Sequence, residues 1–270
     1  MTDSCVICLC VYKSESYLPK VLEVVDKTAE LFEDYKIVFA YDDGGDKSGD
    51  LLLNYTNREH KAKIISGDRN PQQPRVYNIA TARNNCLKYI KSLDFQPTYF
   101  IMIDANYSVQ TKFRPDILRK HLEESDNWDA LSFNRKKYYD EWALSFGHYK
   151  ISIWHLDDKL RDSYRENMRK ALADGFKKVG KNNYLPVDSA FCGFGIYKTD
   201  IFINYKYSVN WRPDLLLNPA DFRAYMKPGI IREQAQWIGD CEHRNFHAEA
   251  KNGSNARIMI ANAQLFAPDD

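Results

Sequence analysis

Two oxygen-bearing side chains directly follow an apolar segment near the middle of the chain. Residues 100–103, "FIMI", end at Asp104, and Asn106 stands two residues further on. A carboxylate with an amide oxygen beside it can hold a hard divalent cation, because Mg²⁺ and Mn²⁺ prefer oxygen ligands and keep positions open for phosphates. Asp and Asn also favour turns, and the local pattern alone favours a turn over a metal site.

A second acidic pair, Asp42 and Asp43, follows the apolar segment 35–41 and precedes two glycines. Glycines let the backbone approach a ligand closely, and a carboxylate can accept hydrogen bonds from a base N–H or a ribose hydroxyl. The alternative is a solvated turn. The phosphate-loop motif G-x-x-x-x-G-K-[ST] is absent, and so is the full spacing of a calcium-binding EF-hand loop.

Arg83 occupies the apolar side of a predicted helix. It lies four residues after Ile79 and four before Leu87, so the three side chains share one helical face. A buried guanidinium needs a partner, because burying it alone is very costly. The partner is expected to be a strand-end carboxylate or a ligand phosphate. The alternative is an apolar stem buried below a charged group in water.

The second half of the chain holds further candidates. Asp188 precedes the small-residue segment "SAFCGFGIY" and could orient a hydroxyl or take its proton, although a turn-capping role is common. In "DCEHRNFH", His243 and His247 are four residues apart and could share a metal on one helical face. The HExxH signature of hydrolytic zinc sites is absent, because Glu242 precedes the first histidine.

The elements that must position these residues alternate between strand and helix in the first half. Apolar segments predict strands at 6–11, 35–41, 63–66 and 98–103, and helical periodicity predicts helices at 18–32, 48–55 and 76–91. This alternation predicts a largely parallel sheet, in which ligands collect at the carboxyl ends of the strands. Polar clusters stand at three of those predicted ends, at 12–14, 42–43 and 104–106.

The second half is less regular. It predicts strands at 128–134, 193–197 and 257–261, and helices at 162–177, 199–205 and 240–250. We expect a single domain, in which residues 1–110 form a nucleotide-binding half and residues 111–270 an acceptor-binding half.

Composition limits the function classes. The 270 residues carry a formal net charge of +1, which gives no support to binding of nucleic acid or a membrane surface. No segment approaches the length of a membrane-spanning helix. The N-terminal segment has no basic region and carries Asp3, so we expect a first strand rather than a signal peptide, and a cytoplasmic protein. Cys5 and Cys8 have no second CxxC pair, which favours buried thiols in a reducing compartment.

The order of the motifs resembles that of GT-A glycosyltransferases, in particular of family 2. "VYKSESYLPKVLEVV" followed by "YDDGGDKSGD" is similar to their strand-end Asp pair and Gly-rich turn. "NIATARNNCLKYI" resembles their A-R-N helix, and "FIMIDANYS" stands at the place of their D-x-D motif. "DSAFCGFGIYKTDIF" and the segment beginning "CEHRNFH" resemble later blocks of capsule-type and large-DNA-virus enzymes. The resemblance covers most of the chain except roughly residues 136–181.

The resemblance implies a GT-A fold, which is a Rossmann-like α/β fold with a mixed, mainly parallel sheet flanked by helices. It implies transfer of a sugar from a nucleotide-diphosphate donor, UDP by analogy, to a hydroxyl of a glycan acceptor with help from Mn²⁺ or Mg²⁺. The implied nucleotide-binding residues are Val11, Tyr12, Asp42, Asp43, Arg83 and Asp104. The implied metal ligands are Asp104 and Asn106, with His243 completing the site, and the implied catalytic residues near the acceptor are Asp188 and Glu242.

One departure from the family pattern concerns the metal. The usual second Asp of the D-x-D motif is Asn106 here. Its neutral amide removes one negative charge, so weaker metal binding is expected. Metal could arrive with the nucleotide phosphates or be dispensable.

Two other functions fit parts of the sequence. A nucleotidyltransferase could use a similar nucleotide site, but it would need a Gly-, Arg- and Lys-rich phosphate loop near the N-terminus, and "CLCVYKSESY" matches that poorly. A glycan-binding module could use the many aromatic residues for sugar stacking. The tryptophans of the second half could instead line the acceptor site, although such residues are more often core: Trp142, Trp154 and Trp211. The sequence leaves open whether transfer inverts or retains configuration.

Overall fold

The first half of the chain alternates strictly between strand and helix. The computed structural model describes residues 3–136, 138–232 and 239–267. The elements of the first half are β1 (Ser4–Val11), α1 (Leu18–Ala29), β2 (Asp34–Tyr41), α2 (Ser48–Arg58), β3 (Ala62–Ser66), α3 (Arg75–Lys91) and β4 (Tyr99–Asp104). All seven agree in type and approximate position with the prediction from sequence.

The second half contains longer connections and several short elements. A 3₁₀ turn (Tyr107–Val109) follows β4. The remaining elements are β5 (Lys112–Phe113), α4 (Pro115–Glu123), β6 (Ala130–Asn134), α5 (Asp158–Val179), β7 (Tyr184–Pro186), β8 (Phe194–Lys198), α6 (Thr199–Phe202), α7 (Pro213–Leu216), α8 (Pro219–Tyr225), α9 (Glu242–Ser254), β9 (Ile258–Gln264) and β10 (Phe266–Ala267).

One eight-stranded sheet joins the two halves in the order β3-β2-β1-β4-β8-β6-β9-β7. Within the order β3-β2-β1-β4 each strand is parallel to the next, and β6 is parallel to β9. Strand β8 runs antiparallel between β4 and β6, and β7 runs antiparallel to β9. The predicted mixed sheet is therefore confirmed. Both halves contribute to one sheet, and their assignment to nucleotide and acceptor stays a prediction.

The register brings the predicted strand ends together. Cys10 of β1 pairs with Ala40 of β2 on one side and with Asp104 of β4 on the other. Parallel strands in register end at the same edge, so the three polar clusters lie side by side. Because β8 is antiparallel to both β4 and β6, the carboxyl end of β6 also lies at this edge.

Both faces of the sheet are buried, as in most parallel sheets. Alternate residues of β1 point to opposite faces: Cys5 packs in a cluster with α1, and Cys8 packs in a second cluster with α3. The prediction that these two cysteines occupy opposite faces is thus confirmed, and all six cysteines are free thiols. Among the described helices, none is both long and apolar enough to cross a membrane.

Candidate functional site

A cavity of about 310 Å³ lies at the carboxyl edge of β1, β2 and β4, below one side of α3. We call it the donor-side cavity. Six of the predicted site residues line it: Val11, Tyr12, Asp42, Arg83, Asp104 and Asn106. The sheet register explains this, because these residues stand at strand ends or on the facing helix.

Arg83 joins two carboxylates at the wall of this cavity. Its Nε donates to Oε1 of Glu242 at 3.0 Å, and its Nη2 donates to Oδ1 of Asp104 at 3.0 Å. The guanidinium also lies 4.6 Å from the ring centroid of Phe191. Burial alone would lower the pKa of Arg83, but the carboxylates of Glu242 and Asp104 raise it well above its usual value. The sequence left open whether the guanidinium of Arg83 is buried and paired or lies in water, and in the structure it is buried and paired.

The second oxygen of Asp104 has weaker partners. Oδ2 accepts from Asn106 Nδ2 at 3.2 Å and from the Tyr139 hydroxyl at 3.5 Å. The Asp104 side chain is 24% exposed, whereas that of Arg83 is 5% exposed. Asp104 is therefore the carboxylate that a ligand in the donor-side cavity can reach, with Arg83 fixed behind it.

Asn106 uses its amide oxygen inside the protein. The oxygen accepts from the Ser108 backbone N–H at 2.8 Å and thereby caps the 3₁₀ turn after β4. Metal binding by this oxygen would compete with that hydrogen bond. Asn106 stays a predicted metal ligand, but the turn-forming alternative is what the structure contains.

Only a few ligand atoms for a hard cation are available among the described residues of this cavity, and Asp104 provides the best of them. Within the described ranges there is no cluster of three or more His, Cys, Asp or Glu side chains suited to a metal. Asp104 offers a cavity-facing carboxylate oxygen, the ligand type that Mn²⁺ and Mg²⁺ prefer. Phosphate oxygens of a bound nucleotide would have to supply most of the remaining coordination.

His243 is buried behind Arg83 and does not line the cavity. Its ring stacks on Phe191 with 3.8 Å between centroids. Its Nε2 lies 3.7 Å from Oε1 of Glu242 and has no hydrogen-bond partner among the residues that the structure describes. Burial, and to a smaller extent the charge of Arg83, lowers the pKa of His243 well below the usual value, so the ring is neutral. The unpartnered nitrogen keeps its metal role open as a prediction.

The rings of His243 and His247 both lie close to the hydroxyl group of Tyr197. His247 Nε2 lies 3.2 Å from the Tyr197 hydroxyl, and His243 Nδ1 lies 3.4 Å from the same oxygen. Ser189 Oγ is 2.9 Å from the other ring nitrogen of His247. The spacing of four residues thus places both histidines on one helical face, as predicted, where they contact a buried hydroxyl.

The two residues of the acidic pair have different surroundings. Oδ1 of Asp42 accepts from the Arg69 backbone N–H at 3.0 Å, and the side chain lines the cavity. Oδ1 of Asp43 accepts from the Gly45 N–H at 2.8 Å and from the Tyr41 hydroxyl at 3.3 Å. Asp42 is therefore available to a ligand, whereas Asp43 stabilises the turn.

Cations outnumber carboxylates around the cavity. Against Asp42 and Asp104 stand four basic side chains: Lys13, Arg69, Arg75 and Arg83. The guanidinium of Arg69 lies 4.0 Å from the ring centroid of Tyr12. A cavity with this charge and an exposed aromatic ring suits an anionic ligand with a planar group.

Asp188 lies outside the donor-side cavity. Its carboxylate is held by the ammonium groups of Lys251 and Lys150, and its backbone N–H donates to the Ser145 carbonyl at 2.7 Å. Glu242 is buried and bonded to Arg83. In this geometry both predicted catalytic carboxylates are paired with cations, and their catalytic roles stay predictions.

Asp140 is a site residue that the sequence did not single out. Its Oδ2 accepts from the Cys192 N–H at 3.1 Å, and its Oδ1 accepts from the Ala143 N–H at 3.3 Å. Burial, then the nearby Asp104 carboxylate, raise its pKa to about 7. It follows Tyr139, whose hydroxyl contacts Asp104. Asp140 does not line the donor-side cavity. A carboxyl group with this pKa close to Asp104 has the properties of a general base near neutral pH.

The loop before β8 holds this arrangement in place. Cys192 and Gly193 both have left-handed backbone conformations, with φ of 57° and 85°. This turn aims the Cys192 N–H at Asp140, and the Gly193 carbonyl accepts from the Asp104 N–H at 3.0 Å. A Cβ at Gly193 would lie 2.3 Å from Ser108 Oγ and 2.8 Å from the Tyr139 hydroxyl. Glycine is thus required where the backbone passes closest to the site.

No protein-family model matches the chain. No curated protein sequence matches it either. Solved structures do match over most of its length. S. aureus TarS has a TM-score of 0.50 and 12% sequence identity, covering 99% of this chain and 37% of that chain.

Two further structures carry ligands. TarS 1–349 in complex with UDP-GlcNAc has a TM-score of 0.49 and 11% identity, covering 99% of this chain and 59% of that one. Glucosyl-3-phosphoglycerate synthase from Mycobacterium tuberculosis, in complex with Mn²⁺, UDP and glucosyl-3-phosphoglycerate, has a TM-score of 0.44 and 10% identity, with coverages of 74% and 58%. The chain spans less than two thirds of the length of each of these structures.

At such low identity the likeness shows a shared fold. The chain has the fold of TarS, and the GT-A architecture predicted from its motifs is confirmed.

Proposed function

We propose that the chain is a glycosyltransferase that uses a nucleotide-sugar donor. The observation that carries this proposal is the bridge from Arg83 to Asp104 at the edge of a cationic strand-end cavity, in a chain with the fold of TarS. A nucleoside diphosphate combines a planar base with two negatively charged phosphates, which matches the aromatic and basic lining. TarS 1–349 binds UDP-GlcNAc and the mycobacterial synthase binds UDP, which makes UDP the first donor to test.

Donor binding divides between two groups of residues in this proposal. Val11, Tyr12 and Asp42 contact the base and ribose, with Asp42 accepting from a base N–H or a ribose hydroxyl. The basic residues of the cavity, Arg83 among them, hold the diphosphate. Asp43 supports the turn that presents Asp42 and contributes indirectly.

Asp104 holds the metal in this proposal, together with the phosphate oxygens of the donor. Bound there, Mn²⁺ or Mg²⁺ would stabilise the charge that develops on the departing diphosphate. Arg83 adds a fixed positive charge close to the same carboxylate, and its two ion pairs hold it without reorganisation. Asn106 and His243 are secondary candidates as ligands.

Asp140 is our first candidate for the base that removes the proton from the acceptor hydroxyl in an inverting reaction. The raised pKa and the position beside Asp104 support this choice. Asp188 and Glu242 rank behind it, because each forms an ion pair with a basic side chain. A retaining reaction would need no such base on the far face of the sugar.

Titration calorimetry tests the donor proposal directly. UDP and GDP are titrated with and without Mn²⁺ into the wild-type chain and into Asp42→Asn, with Asp43→Asn as the neighbouring control. We expect micromolar to millimolar nucleotide binding that Asp42→Asn weakens at least fivefold and Asp43→Asn leaves nearly unchanged. Absence of nucleotide binding would overturn the proposal.

Two assays separate the alternatives. Incubation with nucleotide sugars should release the nucleoside diphosphate, slowly to water and faster with an acceptor. Release of pyrophosphate from a nucleoside triphosphate and a sugar phosphate would instead establish a nucleotidyltransferase. Binding of free sugars without any nucleotide binding would establish a glycan-binding module.

A further inference from the structure

A second cavity, of about 390 Å³, lies between α5 and the segment that follows β6. The segment after β6 contributes Arg135, Lys136 and Tyr138, and α5 contributes Arg169 and Phe176. We call it the β6–α5 cavity. None of its lining residues belongs to the donor-side cavity.

The β6–α5 cavity adjoins the candidate catalytic residues. Strands β4 and β6 both run antiparallel to β8, so their carboxyl ends lie at one edge of the sheet, one strand apart. The guanidinium of Arg135 lies 5.5 Å from the ring centroid of Tyr139, whose hydroxyl is 3.5 Å from Oδ2 of Asp104. Asp140 is the next residue. A group held in this cavity would therefore belong to a molecule at the acceptor side of the reaction.

The charge of the cavity is positive and incompletely paired. Over the part of the chain that the structure describes, neither Arg135 nor Lys136 has a carboxylate partner, whereas Arg169 is bonded to Glu141. Nη2 of Arg135 is buried and has no hydrogen-bond partner within the described ranges. A buried guanidinium nitrogen that lacks an acceptor is unfavourable, and an anion supplies the acceptor.

Aromatic rings restrict how Arg135 can bind. Its guanidinium is flanked by Tyr139 at 5.5 Å and by Phe266 at 4.7 Å. Rings near the guanidinium leave its N–H edge for hydrogen bonding, the geometry that recognises planar carboxylates and phosphates. Leu172 and Phe176 give the same cavity an apolar wall, which suits the C–H face of a sugar ring.

We infer that the β6–α5 cavity binds an anionic group, a carboxylate or a phosphate, carried by the acceptor, and that Arg135 and Lys136 recognise it. This inference rests on the proposed glycosyltransferase function and adds the class of acceptor. The donor's diphosphate already has its own basic residues in the donor-side cavity, so the charge of Arg135 and Lys136 is left for the second substrate.

The first experiment measures binding of simple probes at constant ionic strength. Methyl β-glucuronide and glucose 6-phosphate are the anionic probes, and methyl β-glucoside is the neutral one, each titrated with and without saturating UDP and Mn²⁺. We expect at least tenfold tighter binding of one anionic probe than of the neutral probe. Equal binding of all three would overturn the inference.

The second experiment compares variants. Arg135→Gln and Lys136→Gln should each reduce the anionic preference at least fivefold, and Lys136 is exposed, so its replacement leaves folding intact. The matched control is Lys170→Gln, which removes one positive charge from an exposed pair on α5 outside the cavity. If Lys170→Gln loses as much of the anionic preference, the preference arises from general surface charge, and the inference of a specific site is wrong.

The third experiment distinguishes donor from acceptor and the inference from the proposed function. If Arg135→Gln weakens UDP-glucuronate but not methyl β-glucuronide, the anion belongs to the donor and the inference is wrong. Hydrolysis of the nucleotide sugar to water should be unchanged in the control Lys170→Gln, because Lys170 lines neither cavity. Loss of UDP binding in the wild type defeats the proposed function, whereas UDP binding without anionic preference defeats only the acceptor site.

Discussion

Arg83 and Glu242, which are 159 positions apart in the sequence, form a buried hydrogen-bonded ion pair with an Nε to Oε1 distance of 3.0 Å. The pair connects α3 of the first half to the start of α9 in the second. Since Arg83 also bonds Asp104, α9 determines the orientation of a guanidinium that faces the donor-side cavity. Glu242 is in this view a positioning residue for Arg83.

Removal of Glu242 should affect stability more than removal of Asp104. Glu242→Ala leaves the buried Arg83 with one carboxylate instead of two, and loss of a buried partner costs about 3–5 kcal/mol. Asp104 is partly exposed, so water can take its place and Asp104→Ala should cost less than about 2 kcal/mol. Urea unfolding measures both, with Glu242→Gln as the variant that keeps the hydrogen bond. Equal losses for the two alanine variants would contradict the positioning role.

Asp104→Ala should abolish transfer while the fold stays intact, because the proposed metal and diphosphate site loses its cavity-facing carboxylate. Circular dichroism and donor turnover check the two parts. Asp43→Ala is the control: it removes the acceptor of a turn N–H and should lower activity less than threefold. Near-normal turnover by folded Asp104→Ala would refute the assignment.

The rate should fall with acidity around neutral pH. Asp140 has a pKa of about 7 and must be deprotonated to act as a base, so kcat/KM should decrease about tenfold per pH unit well below pH 7. Asp140→Asn should lower kcat by a factor of about 10²–10⁴ and remove this limb of the profile. Asp188→Asn is the comparison. If Asp188→Asn removes the limb and Asp140→Asn does not, the order of the two candidates is reversed.

The same carboxyl group links stability to pH. Its folded pKa is raised above the unfolded value, so the folded state binds the proton more tightly. The contribution of Asp140 to stability is therefore complete below about pH 4 and lost as the pH rises through about 7. Denaturant unfolding at pH 5 and pH 8 should show a smaller pH-dependent loss in Asp140→Asn than in the wild type. An unchanged difference would argue against the raised pKa.

Metal binding should depend on the nucleotide. Asp104 is the proposed metal ligand among the carboxylates of the donor-side cavity, and Asn106 carries no charge, so Mn²⁺ should bind poorly to the free protein. UDP adds phosphate oxygens and should tighten Mn²⁺ binding at least tenfold. Electron paramagnetic resonance of free Mn²⁺, with and without UDP, provides the measurement. We also expect EDTA to lower turnover and Mn²⁺ to restore it, whereas unchanged rates after thorough chelation would indicate a metal-free reaction.

Gly193→Ala tests how tightly the loop before β8 controls the site. The new Cβ would lie 2.3 Å from Ser108 Oγ, so Tyr139 and Ser108 must shift and turnover should fall at least tenfold. Gly147→Ala is a matched control, because Gly147 also has a positive φ, 53°, but no atom of the described residues lies within 4 Å of its added Cβ. Both substitutions introduce backbone strain of about 1–2 kcal/mol, so the difference in turnover between the two variants measures the effect of the contact at the site. Equal activity in the two variants would show that the close contacts of Gly193 do not control the site.

Much of the first half could be predicted because its signals are local. Apolar segments and helical periodicity identified β1 to β4 and the helices between them. The apolar stripe on α3 singled out Arg83, but the sequence left open whether its guanidinium is buried or lies in water. The end of α1 was predicted three residues too late, since Phe32 is buried after the helix has ended at Ala29. The spacing of apolar residues indicates which residues are buried, but it does not indicate where the helical backbone conformation ends.

The second half was harder because its signals are weak or distant. Helix α4 was missed, and it buries only Leu118 and His121, too few to form a periodic pattern. Asp140 lies in a segment without regular structure, and the Cys192 N–H that contacts it comes from 52 positions away. Its pKa depends on this tertiary environment, which no spacing in the sequence encodes.

The antiparallel insertion of β8 between β4 and β6 has an evolutionary consequence. After β6 the chain makes the long excursion 135–193, which adds β7 at the far edge of the sheet, and then returns as β8 beside β4. None of the described residues within 135–193 lines the donor-side cavity, although Tyr139 and Gly193 contact Asp104. A relative could therefore exchange the rest of this excursion for another one without disturbing the strand ends that form the cavity. Under the proposed function, the acceptor in such a lineage would diversify while the nucleotide-sugar donor stayed the same.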